Sequence, residues 1–137
     1  MFSKPYEIME LKDYPDHRGN IFEILRFKDQ EIPGTGQIYC FSIVPGVRRG
    51  DHFHTTKREW ASCVYGKVYV AAEDMEGNKS KMLLDSKKPS LIYFHPYTTH
   101  VFINEGSEEA VVVSYSSKQL DKENPDTIPK IIDDKDL

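Results

Sequence analysis

Nine short runs rich in β-branched and aromatic residues recur along this chain, at 21–25, 37–44, 52–54, 60–65, 67–73, 80–84, 90–94, 100–104 and 110–116. No stretch of comparable length carries a helical period. The runs are separated by turn chemistry: Asp16-His17-Arg18-Gly19-Asn20, Pro33-Gly34-Thr35-Gly36, Pro45-Gly46, Tyr65-Gly66-Lys67, Glu76-Gly77-Asn78 and Glu105-Gly106-Ser107. Many short strands at regular spacing predict an all-β sandwich or barrel, here a jelly roll.

A chain of 137 residues with 39% hydrophobic content suits a single domain, 1–137, with one core. After Ser117 the composition turns polar, and 118–137 reads as an extended tail that packs briefly on the barrel and then frays. The net charge of −4 is interspersed, leaving no basic patch for nucleic acid and no polybasic segment for a membrane surface. No apolar run approaches the ~20 residues of a bilayer span, and the N-terminus lacks a signal peptide's apolar centre, so the expected location is cytoplasmic. Cys40 and Cys63 lie inside apolar runs rather than in a Cys-X-X-Cys motif, which predicts reduced core residues.

Against this scaffold, 46–59 holds Gly46, Gly50-Asp51-His52-Phe53-His54-Thr55-Thr56-Lys57-Arg58-Glu59 and closes at Gly66, while Pro96-Tyr97-Thr98-Thr99-His100 is followed by Asn104. Side chains alternate along a strand, so His52 and His54 point the same way and Phe53 points oppositely, toward a core. The polar run after His54 reads as a turn that returns Glu59 beside the pair, and His100 comes from a distant strand. Three imidazoles and a carboxylate suit zinc, non-haem iron, manganese or nickel, with positions left open for water or substrate.

These spacings resemble the two signature motifs of the cupin superfamily. The first, glycine-five-His-X-His-four-Glu-six-glycine, is matched in full; the second has Tyr97-Thr98 where a glycine is usual. The resemblance implies a cupin jelly-roll β-barrel, the double-stranded β-helix. From about Asp16 to Ile132 the likeness narrows. Asp16-His17-Arg18-Gly19 is similar to the opening of cupins that remodel nucleotide-linked keto sugars, the 3,5-epimerases and 3,4-ketoisomerases. Gly50 to His54, Thr56-Lys57, Glu59, Pro96 to His100 and Asn124-Pro125-Asp126-Thr127 resemble the C-terminal epimerase domain of bifunctional enzymes of capsule and N-acetylfucosamine biosynthesis. That resemblance implies zinc binding and epimerisation of a UDP-4-keto-6-deoxy-N-acetylhexosamine. The reductase half of those enzymes has no counterpart here, so a stand-alone relative is expected, with a separate reductase or aminotransferase acting next.

Such a reaction removes a proton beside a ketone and returns it elsewhere, which needs a base, an acid and stabilisation of the developing oxyanion. Lys57, Tyr39, Tyr97 and His54 are the candidate proton-transfer groups, and Lys57, between His54 and Glu59, is preferred. His54 cannot hold a metal and act as base with the same lone pair, so ligand and base stand as alternatives for it. Arg18, Arg48 and Arg49 are the candidate diphosphate contacts, because guanidinium forks suit phosphate oxygens. Arg48 and Arg49 are consecutive, so at most one enters a pocket. Trp60 offers a stacking surface for base or sugar, against a packing role. Two other classes fit the same motif: a different metal-dependent cupin, such as an oxygenase or lyase, and a non-catalytic sugar-binding module. Exposed edge strands and the resemblance together point to a homodimer that exchanges its N-terminal strand.

Overall fold

The computed structural model describes residues 4–137, and among them there is no helix. Ten strands form: β1 Ile21–Arg26, β2 Gln37–Ile43, β3 Arg48–Phe53, β4 Glu59–Tyr65, β5 Lys67–Glu73, β6 Lys79–Asp85, β7 Ile92–Phe94, β8 Thr99–Ile103, β9 Ala110–Ser116 and β10 Ile128–Pro129. They make two antiparallel five-stranded sheets, ordered β1-β2-β9-β4-β7 and β10-β3-β8-β5-β6. This is the jelly-roll arrangement that the turn spacing predicts. Alternation fills the space between the sheets: in β9 every second residue is buried, and Phe41, Val70, Phe94, Phe102 and Val112 meet in the main core. Cys63 is buried and Cys40 half-buried, both as free thiols.

Strand β3 runs further back than the 52–54 run, because Arg48, Arg49 and Gly50 pair with β8 despite the polarity of the segment. A bulge lies between Gly50 and His52. Gly50 takes a φ of 122°, and a Cβ there would stand 2.8 Å from the His100 carbonyl oxygen, so only glycine fits. Asp51 follows at φ 57°, the left-handed region that aspartate tolerates better than most residues.

The tail departs from expectation. Lys130 N–H donates to the Asp51 carbonyl, Ile132 N–H to Asp51 Oδ1, and β10 adds to the edge of β3. Arg48 forks onto Asp51, reaches the Ile132 carbonyl and pairs with Asp134 at 2.6 Å. Ile132 itself is 1% exposed, packed with Ala71, Val101 and Ile103. The segment therefore belongs to the fold through residue 134 instead of fraying, held by one buried isoleucine and the Arg48 fork that polarity alone conceals. Arg48 is spent on this anchor, correcting its assignment to diphosphate. Truncating Ile132 to alanine should cost about 2–5 kcal/mol in equilibrium denaturation, against almost nothing for a frayed tail.

Candidate metal centre

Four elements converge at one end of the barrel. His52 sits in β3 opposite His100 of β8, His54 follows directly after β3, and Glu59 opens β4. One ligand atom from each of the four lies within 4.8 Å of all the others. Ring centroids are 4.9 Å apart for His52 with His54 and with His100, and 5.5 Å for His54 with His100. Phe94 stacks on His100 at 4.2 Å and fixes its plane.

The neighbours of the imidazoles determine which nitrogens face inward. His54 Nδ1 contacts the Asp126 carbonyl at 2.7 Å and His100 Nδ1 the Thr98 carbonyl at 3.1 Å. Carbonyls only accept, so each Nδ1 carries the proton and each Nε2 presents a lone pair to the centre. Burial, then the imidazoles of His100 and His54, lower the His52 pKa to about 3, and burial lowers that of His100. Burial pushes Glu59 up, but the imidazoles of His54 and His100 and the Tyr39 hydroxyl outweigh it and hold the carboxyl at about 2. His54 Nε2 and Glu59 Oε1 face each other closely, both buried and, among the described residues, without another hydrogen-bond partner. His100 Nε2 stands 3.7 Å from the same oxygen. Three imidazoles and a carboxylate brought this close together form a donor set that fits a divalent metal.

The supports are equally specific. Tyr39 and Glu59 both flank β9, opposite Ser114 and Ser116, and the Tyr39 hydroxyl donates to Glu59 Oε2 at 2.5 Å. Burial and that carboxylate push the phenol well above its usual pKa, so it remains a donor. Asp126, at φ 49°, receives the backbone N–H groups of Thr55, Thr56 and Lys57 with its carboxylate while its carbonyl holds His54. Sequence reasoning quoted the Asn124-Pro125-Asp126-Thr127 run but gave Asp126 no task; four chain-distant donors on an aspartate leave no sequence signal beyond that resemblance.

A cavity of about 520 Å³ opens onto the cluster. Tyr39, Lys57, Arg18 and Arg49 line it with the four ligand residues. Lys57 is buried at its wall. Arg18 is already held bidentately by Asp16, at 2.5 and 3.1 Å. Other candidates lie elsewhere. Tyr97 is half exposed outside the cavity, stacked on Phe53, and takes a φ of 64° at the position where glycine is usual. Its N–H donates to the His54 carbonyl, so it braces the ligand loop instead of facing substrate. Phe53 accordingly packs against Tyr97 and not in the core. Trp60 points away from Glu59 by strand alternation and packs on Tyr93 and Tyr115 beneath Arg58, which replaces the stacking role with a packing one.

The fold and the cluster together define a cupin. The family model described as "Polysaccharide biosynthesis C-terminal domain" matches residues 14–128, and the chain belongs to that family. It is 30% identical over 115 residues to UDP-2-acetamido-2,6-beta-L-arabino-hexul-4-ose reductase of Pseudomonas aeruginosa, covering 83% of this chain and 30% of that protein. Among solved structures, the capsular polysaccharide assembling protein CapF of Staphylococcus aureus superposes with a TM-score of 0.83 at 23% identity, over 91% of this chain and 33% of that one. A variant of oxalate decarboxylase from B. subtilis gives 0.73 at 22%, over 88% and 30%. The chain thus spans about a third of the length of these relatives, and the structural likenesses speak to fold alone. Among the described residues no helix is long and apolar enough to cross a membrane.

Two variants probe the supports. Tyr39→Phe strips Glu59 of its donor and Asp126→Ala frees the 55–57 loop; each should weaken metal binding by roughly 10–100-fold in competition with a chelator. Asp126 also sets a pH dependence. Hydrogen bonds from Thr55, Thr56 and Lys57 hold its carboxyl below the usual range against a desolvation that raises it. Its contribution is complete above the unfolded value of ~3.9 and is lost as pH falls through the lower folded value. The stability gap between Asp126→Ala and the parent should begin to narrow below about pH 3.9 and shrink progressively on further acidification.

Proposed function

We propose that this chain is an isomerase, an epimerase or keto-isomerase acting on a nucleotide-linked 4-keto-6-deoxy sugar in surface polysaccharide biosynthesis, with a divalent metal, zinc foremost. The observation that carries the reading is one cavity in which a four-ligand metal set and the buried Lys57 face the same space. The family supports it, as does the name of the Pseudomonas relative, whose substrate is a UDP-linked hexul-4-ose. His52, His54, Glu59 and His100 would hold the metal, which supplies Lewis-acid withdrawal of electron density from the ketone.

The other roles fall to this chain's own residues. Lys57, in its amine form, takes the proton from the carbon beside the ketone at Nζ, and the C–H electron pair moves toward the ketone oxygen. Return of a proton to the opposite face gives the epimer; return at the neighbouring oxygen-bearing carbon gives the keto-isomer. His54 belongs to the metal set, since one ring nitrogen is committed to Asp126 and the other to the centre. Tyr39 holds Glu59 instead of moving the substrate proton. Arg18 and Lys122, both lining the cavity, receive the diphosphate. The remaining parts of the reading are a cytoplasmic location, a homodimer joined through the N-terminal strand, and a reductase or aminotransferase that takes the product.

Untagged protein, never exposed to a metal-affinity column, should carry about one equivalent of divalent metal that His100→Ala loses. In deuterium oxide, UDP- and dTDP-linked 4-keto-6-deoxy sugars should gain deuterium beside the ketone. Lys57→Met should slow that exchange by about 10²–10⁴-fold with its metal retained. No exchange with any such sugar would reject the reading.

A further inference from the structure

Arg49 is only 7% exposed, yet its Nε and Nη2 have no hydrogen-bond partner among the described residues. The nearest carboxylate oxygen, Asp16 Oδ1, stands 3.7 Å from Nη2, and that carboxylate is already clamped by Arg18. Its other contact is the face of Phe41, 5.4 Å from the guanidinium carbon. Burial accordingly drags the Arg49 pKa down from its usual value. A buried guanidinium with unanswered donors is costly, and an anion entering the cavity that Arg49 lines would relieve that cost.

The backbone explains why this side chain faces the metal set at all. Strict alternation would turn Arg49 and His52, three apart, to opposite faces. The bulge at Gly50 and Asp51 absorbs one residue, so both face the cavity. In register, Arg49 opposes Phe102 and His52 opposes His100, two positions apart on β8, a step of about 7 Å.

We propose that Arg49 is an oxyanion receptor, binding one negatively charged oxygen or carboxylate-sized group beside the metal centre while the diphosphate lies outward at the cavity mouth. The inference rests on the proposed function only for naming that oxygen: it is the ketone oxygen that gains charge when the adjacent proton leaves. A planar fork can receive such an oxygen with two donors, which lysine cannot imitate.

The test uses trifluoroacetate as a monoanion probe, titrated by fluorine NMR into wild type, Arg49→Gln and Arg49→Lys, with circular dichroism and metal content checked for each. Wild type should bind in the millimolar range and both Arg49 variants at least ~10-fold more weakly. In parallel, UDP affinity should change by less than about threefold in Arg49→Gln. Equal probe binding by wild type and Arg49→Gln, or none by wild type, would overturn the inference. So would a UDP loss in Arg49→Gln as large as the loss of trifluoroacetate, which would make Arg49 a diphosphate contact. Arg49-dependent probe binding in a chain that exchanges no deuterium would keep the anion site and reject the sugar reading, so the two failures are separable.

Discussion

The two-residue bulge at Gly50 and Asp51 is the constraint on which the site depends. Without it, β3 would send Arg49 to one face and His52 to the other, and the cavity would lose either its guanidinium or a ligand. The bulge is left-handed at Asp51, a strained choice that persists because the same residue accepts four hydrogen bonds: its carboxylate takes two from Arg48 and one from the Ile132 N–H, and its carbonyl takes one from the Lys130 N–H. The C-terminal segment therefore locks the local distortion that aims the chemistry.

The centre follows from the same economy of shape. Each imidazole whose outer nitrogen meets a carbonyl must turn a lone pair inward, and Glu59, its outer oxygen claimed by Tyr39, must do likewise. Burial keeps His52 and His100 neutral. The donor atoms so gathered suit a divalent cation, and the ring of supports holds them in place around the mouth of the cavity.

Much of this was legible in the sequence, for definable reasons. Period-two alternation and glycine-bearing turns gave nine of the ten strands, and β5 and β9 fell at the observed ends because Gly66 and Gly106 bracket them sharply. The His52, His54, Glu59 and His100 grouping was readable because two-residue spacing fixes side-chain direction locally. Arg48, Trp60 and Tyr97 were misassigned because their partners, Asp134, Tyr115 and Phe53, are set by tertiary packing that no local pattern carries. The tail misled for a similar reason: one buried isoleucine among charges scarcely alters its composition, yet it anchors the segment. Arg18 stood out by its motif, whereas the unpaired state of Arg49 exists only once the sheets have closed.

The ligand loop takes its rigidity from Asp126, seventy residues downstream of Thr56. On the ribosome, the strands through β9 can collapse into a barrel with its apolar core before that aspartate has left the exit tunnel. The nascent chain thus passes through a stage in which the scaffold is built but the 55–57 loop is not yet fastened. Closure of the His54 side of the cluster is thereby deferred until residue 126 has emerged, an order of assembly written into the position of a single carboxylate.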